Sequence, residues 1–182
     1  MGQKIRHWGG LIATIAALAS GPAMANVTAG GGSGNTSTAA GSSTAEVVQP
    51  IRLVHAGRGG VVSSLNFGKF TAGTGGTVTV VALPAGGGST GGDVSFVPGS
   101  YVMPDSFYIV AGGNRVVGIT TGNGSVTLGS NSMSFTTVPQ FSTVTLPGHG
   151  VQSFVVGGTL TVPAAATPGV YRGTYNVTAA YQ

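Results

Sequence analysis

From Glu46 to the C-terminus, short runs rich in Val, Thr, Phe, Tyr and Leu alternate with Gly, Pro, Asn and Ser. This is the texture of strands separated by turns. The clearest run is the last. Tyr171, Gly173, Tyr175, Val177, Ala179 and Tyr181 fall at one parity, and Arg172, Thr174, Asn176, Thr178, Ala180 and Gln182 at the other. Successive side chains of a strand point to opposite faces, so this alternation predicts one core face and one solvent face. A slip of one residue would turn the aromatics into water, which specifies the register. Pro168-Gly169 is the turn that launches the strand. A weaker alternation marks a second strand at the start of the domain: Ala45, Val47, Ile51 and Leu53 share a face that Gln49 interrupts. Pro50 lies on the opposite face, and its missing N–H suits an edge strand.

The same reading places strands at 46–55, 61–67, 77–83, 94–97, 106–111, 115–120, 125–128, 133–138, 143–145, 152–156, 159–162 and 170–181. No segment keeps helical periodicity over three turns, and Gly is too frequent to sustain one. No fixed repeat marks a solenoid. The fold expected is an all-β sandwich.

The chain before Glu46 reads differently. Lys4, Arg6 and His7 precede an apolar run, Leu11 to Leu18, that Gly21 and Pro22 break, and Ala23-Met24-Ala25 has the small-x-small pattern of a signal-peptidase site. The run is well short of the ~20 apolar residues that span a bilayer. Residues 1–25 are therefore expected to be a Sec signal peptide cleaved between Ala25 and Asn26, leaving no transmembrane segment in the mature chain. Residues 26–45 are rich in Gly, Ser, Thr and Ala with almost no large apolar group, and are expected to be a tether. The domain proper is expected at 46–182.

Charge and cysteine content narrow the function classes. The net charge of +4 includes Lys4 and Arg6. Without them, five cations (Arg52, Arg58, Lys69, Arg115, Arg172) face three carboxylates (Glu46, Asp93, Asp105), a net charge of +2. Five dispersed cations form no stripe for phosphates, which argues against nucleic acid. With no cysteine, stability must come from packing or from another chain. A surface of Thr, Ser, Asn and Gly repels its own copies weakly, as suits a protein that associates and equally an ordinary low-charge secreted domain.

Little in the sequence suggests catalysis. Glu46, Asp93 and Asp105 read as turn or strand-end carboxylates, and His55 and His149 as surface histidines without metal-ligand spacing. No G-x-S-x-G elbow occurs. The glycine clusters at 30–32, 86–88 and 91–92 lack the Lys-Ser/Thr of a phosphate loop and read as flexible loops. Tyr101, Phe107 and Tyr108 read as core aromatics more readily than as a sugar platform. No catalytic, cofactor or metal residue is expected, and no cofactor.

Three motifs carry a resemblance: Leu65-Asn66-Phe67-Gly68, Gly157-Gly158-Thr159-Leu160-Thr161-Val162, and the stretch from Gly169 through Tyr181. Together, over roughly residues 46–182, they resemble a family of exported bacterial β-domains of unknown function with an L-x-F-G start and a G-x-Y-x-G-x-[FY]-x-V-T-x-x-Y end. The ending is also similar to that of chaperone–usher pilus subunits of the archaic, spore-coat-like type, with Gly169 fourteenth from the end and Tyr181 penultimate. The absence of cysteine departs from the many pilins that hold a disulfide.

The pilin resemblance implies an immunoglobulin-like, pilin-like β-sandwich lacking its last strand, completed by the N-terminal strand of the next subunit. Carried over, Ala45, Val47, Gln49, Ile51 and Leu53 would be the donor strand, within 46–55. Gly169, Tyr171, Gly173, Tyr175, Val177, Ala179 and Tyr181 would line the strand facing chaperone and groove. The implied partners are copies of this chain or related subunits, a periplasmic PapD-like chaperone and an outer-membrane usher, with passage through the periplasm to the cell surface. The function expected is a structural subunit of a pilus or fimbria. The alternative is a monomeric secreted or surface-associated sandwich that binds glycan or matrix, with 46–55 as its own first strand.

Overall fold

The computed structural model describes residues 34–35, 38–58 and 61–182. The signal segment 1–25, its cleavage point at Ala25 and Asn26, the glycine cluster at 30–32 and part of the tether lie outside the described residues. The chain divides into two units, Met1–Ala45 and Glu46–Gln182. In the first, Gly34 and Asn35 form a turn and residues 38–45 are exposed and outside any strand.

Among the described residues the second unit is all β, without a helix. Its strands are β1 (Arg52–His55), β2 (Gly57–Arg58), β3 (Val61–Val62), β4 (Phe70–Thr71), β5 (Gly76–Val80), β6 (Gly88–Gly92), β7 (Ser95–Phe96), β8 (Asp105–Val110), β9 (Val116–Thr121), β10 (Gly124–Leu128), β11 (Asn131–Pro139), β12 (Thr143–Thr145), β13 (Val151–Val162), β14 (Arg172–Thr174) and β15 (Val177–Tyr181). An eight-stranded sheet runs β1-β8-β13-β11-β10-β14, with β5 and β6 joined to β13. A three-stranded sheet runs β12-β9-β15, and β2–β3 and β4–β7 are two-residue ribbons. Every ladder is antiparallel.

β13 is the axle of the large sheet. Its residues 151–156 pair with β8 and 158–162 with β5, while β11 holds the opposite edge over 156–160. Gly157 sits where the partner changes from β8 to β5. A Cβ there would lie 2.3 Å from the Val80 carbonyl oxygen and 2.6 Å from the Ala82 nitrogen. Glycine is required because another backbone passes so close. The two expected strands at 152–156 and 159–162 are therefore one, and the Gly157-Gly158 pair is a site of close approach within it.

The L-x-F-G motif likewise has a local cause. Phe67 is buried in the core and Leu65 packs at its margin. Asn66 bridges Met103 and accepts the Gly68 N–H on Oδ1 at 2.9 Å. Gly68 has φ +78°, the left-handed region that glycine enters without penalty. Only Val61–Val62 of the expected 61–67 strand is a ladder strand, because the motif turns the chain instead.

Two buried clusters form the core. One gathers Val78, Val80, Met133, Phe135, Leu160 and Val162 around Phe67 within the territory of the large sheet. The other joins Phe107, Ile109, Phe154 and Val156 of the large sheet to Val117 and Ile119 of the small one, with Leu146. Each fully buried aromatic or large aliphatic side chain contributes about 1.5–3 kcal/mol, and with no cysteine in the chain this packing is the main adhesive. Tyr175 touches both clusters.

The expected strand 170–181 is two strands. β14 pairs with β10 in the large sheet and β15 with β9 in the small one, so the chain changes sheets at Tyr175-Asn176. The burial alternation survives the transfer: Tyr171, Tyr175, Val177, Ala179 and Tyr181 are half-buried, and the residues between Tyr175 and Tyr181 at the other parity are exposed. The expected strand 46–55 is shorter too. Only Arg52–His55 pairs, with β8, and residues 46–51 have no ladder partner. Pro50 has no N–H to give a ladder.

Candidate functional site

Alternation along β8 points Asp105, Phe107 and Ile109 into the interior together. Asp105 is 2% exposed and takes donors from three other chain segments. His55 Nε2, from β1, lies 2.7 Å from Oδ1. The Ser63 hydroxyl donates to the same oxygen at 2.7 Å, as does the Ser106 N–H at 2.9 Å. The Tyr175 hydroxyl donates to Oδ2 at 2.9 Å. The ring of His55 stacks on Phe107 at 4.6 Å, and Tyr175 meets Phe107 and Phe135 edge-on. Burial first, then the Asp105 charge and hydrogen bond, push the Tyr175 hydroxyl far above the usual phenol range.

A nucleophilic triad needs the imidazole between hydroxyl and carboxylate. Here Ser63 and His55 converge on one carboxylate oxygen instead, and Ser63 also accepts the Ser106 N–H at 3.0 Å. The geometry fastens β1, the segment after it, β8 and the C-terminal crossover to one point. Among the described residues no three His, Cys, Asp or Glu side chains gather as metal ligands, and no helix is long and apolar enough to cross a membrane.

One expectation is corrected at this site. Asp105 opens a strand but is the buried centre of a polar cluster, whereas His55 is exposed as expected, with its ring stacked on Phe107 and its Nε2 against Asp105. The missed signal was parity: His55 continues the Ile51 and Leu53 face, and Asp105 the Phe107 and Ile109 face. Asp93 and His149 do sit in exposed turns, Asp93 accepting the Thr74 N–H at 2.9 Å.

The strands nearest the two chain ends border the second core cluster. Among the described residues β1 pairs only with β8, and β15 only with β9, leaving an edge of each without a ladder. Of the expected donor residues, Ile51 and Leu53 are half-buried against this cluster. Val47 is 97% exposed, Gln49 is exposed, and Ala45 is exposed in the other unit. Of the expected groove residues, Val177, Ala179 and Tyr181 are half-buried on the same cluster, and Tyr175 joins the two clusters. Tyr171 packs on the first cluster, Gly173 pairs with Val126 and Gly169 is exposed at the turn.

Residues 46–50 touch the C-terminal end of β15. The Tyr181 hydroxyl donates to the Gln49 carbonyl at 2.6 Å and accepts the Gly112 N–H at 2.8 Å. Arg115 pairs with Glu46, and Val48 lines a small cleft with Val116, Tyr181 and Gln182. Glu46, expected to be an ordinary strand-end residue, is thus tied to the start of β9.

No curated protein and no solved structure matches the chain. The family model described as a domain of unknown function, DUF4402, matches residues 60–181, from beyond His55 through the penultimate Tyr181. The chain thus belongs to the DUF4402 family, with β1 and the segment before it outside the matched residues.

Proposed function

We propose that this protein is an exported structural subunit of a surface fibre, an immunoglobulin-like, pilin-like sandwich polymerised by donor-strand complementation. The observation that carries the reading is the pair of unpaired edges on β1 and β15, whose inward residues are only half-buried on one shared core cluster. An unpaired edge flanked by half-buried apolar side chains is an aggregation hazard unless a partner occupies it.

In this mechanism residues 45–53 of one copy lie along the free edge of β15 in the next. The contacts that Ile51 and Leu53 make in their own chain are regained in the neighbour. The added gain is a backbone ladder on β15 and the burial of Val47, which in the single chain is 97% exposed. The interface is head-to-tail and does not close on itself, so repetition gives a filament. Before assembly, a periplasmic chaperone of the PapD type would cover the β15 edge, and an outer-membrane usher would pass subunits to the surface after a Sec signal at 1–25.

One observation favours the second reading, a monomeric secreted or surface-associated sandwich. β1 already pairs with β8 of its own chain. Tyr101, 60% exposed, and Tyr108, 44% exposed, would then offer aromatic faces to glycan or matrix.

Light scattering and electron microscopy of the chain 26–182, beside one lacking 26–51, separate the two. The fibre reading expects rods from the full chain, and from the truncated chain a monomer that binds an added peptide of residues 45–55. A full chain that stays monomeric at all concentrations, with no peptide binding by the truncated one, would contradict it.

A further inference from the structure

We infer that residues 46–51 are a strap parked in cis on the C-terminal end of the domain, and that Tyr181 and Arg115 hold it there and gate its release. This rests on the strand-exchange reading and adds to it a closed state with its own latch.

The strap makes no ladder of its own, so strand pairing does not explain its course. Its contacts lie at three positions, Glu46, Val48 and Gln49. Glu46 pairs with Arg115 at the start of β9. Val48, 41% exposed, is set against Val116, Tyr181 and Gln182. The Gln49 carbonyl receives the Tyr181 hydroxyl. Tyr181 is fixed from the other side by the Gly112 N–H and by the ladder to Val117, so the latch is anchored in the body of the domain. Ile51 then enters the second core cluster and leads into β1.

The grip is weak by construction. The ion pair is largely exposed, with Arg115 43% and Glu46 71% accessible, and such pairs hold little in water. One neutral hydrogen bond and a half-covered valine complete it. A segment held by so little opens far below the free energy of global unfolding. That is what exchange requires: a strap that lets go while the sandwich remains folded. In the closed state it is held to the Tyr181 side chain at the end of β15, next to the strand an incoming donor would use, so the same contacts that park the strap withhold the donor.

The test uses the whole chain from Asn26, as the natural sequence and as Tyr181→Phe, Arg115→Ala and Glu46→Ala. Glu46→Ala lies on the strap and leaves the body of the domain intact, so it reports even if Tyr181→Phe disturbs folding. Backbone 15N relaxation of residues 46–51 reads the latch, and light scattering against time reads assembly. The natural chain is expected to show order parameters of about 0.85 across the strap, Tyr181→Phe values below about 0.6, and the two ion-pair variants smaller decreases confined to the Glu46 end. Assembly of each variant should be faster, about five-fold for Tyr181→Phe, the ratio that loss of one typical hydrogen bond gives. A strap that is already mobile in the natural chain overturns the parked state. A strap freed in the variants with no change in assembly rate overturns the gate. If no form assembles under any condition, the fibre reading fails and the gate with it, while relaxation alone still decides whether the strap is parked.

Discussion

Asp105 shows how a single side chain can organise a domain that has no cysteine. Its carboxylate is buried, and its donors come from β1, the segment after β2 and β3, its own strand and the crossover to β15. Removing a buried charge's partner exposes the full desolvation penalty of what remains. Tyr175→Phe should lower stability by about 1–3 kcal/mol, and Asp105→Ala by about 3 kcal/mol or more because His55, Ser63 and Tyr175 all lose their acceptor. Urea unfolding followed by fluorescence checks both. Tyr175 also gives a pH signature. Its hydroxyl is held above the ordinary phenol value, so the folded state keeps a proton that the unfolded state releases. That contribution is complete below about pH 10 and declines as pH rises past it. Stability should fall with pH in that alkaline window, and Tyr175→Phe should remove this part of the slope in unfolding curves measured at successive pH values.

At the scale of elements, runs of β-branched and aromatic residues between turn residues made β8, β9 and β11 legible, and period-2 alternation the C-terminal strands, whose inward residues reach the core clusters. What alternation could not give was which sheet a strand joins. The run 170–181 reads as one strand by parity, and parity is preserved when the chain passes from β10 to β9 as its partner. The glycines misled for a related reason. Of the clusters 86–88 and 91–92, expected to be flexible loops, Gly88 and Gly91-Gly92 lie in β6 beside β5, where a Cβ on Gly76 would meet the Gly91 carbonyl oxygen. Local composition cannot tell a glycine that permits a turn from one that admits a neighbouring backbone. The polar cluster was hidden because its members are far apart in sequence, His55 and Tyr175 each reaching an Asp105 at least fifty residues away. Gly157→Val should be among the most damaging single changes in β13, costing about 3 kcal/mol or more, since overpacking against backbone has no soft partner to yield. Gly68→Ala should cost about 1–2 kcal/mol from its left-handed φ alone, more with Ser100 Oγ 2.5 Å from the new Cβ. Thermal unfolding of the two variants ranks them.

At the scale of the molecule, the two ends of the domain meet. The strap before β1 and the end of β15 share a hydrogen bond, an ion pair lies beside them, and the edges of both strands are unpaired among the described residues. A chain closed in this way and a chain exchanged with its neighbour make many of the same contacts, which is the condition for strand swapping. The most direct test places a photo-crosslinking residue at Val47, 97% exposed and so tolerant of change, in an equal mixture of 14N- and 15N-labelled copies. Assembled material is predicted to give crosslinks from the 45–51 segment to β15 in mixed-isotope pairs. Crosslinks confined to single copies at every concentration would contradict strand exchange.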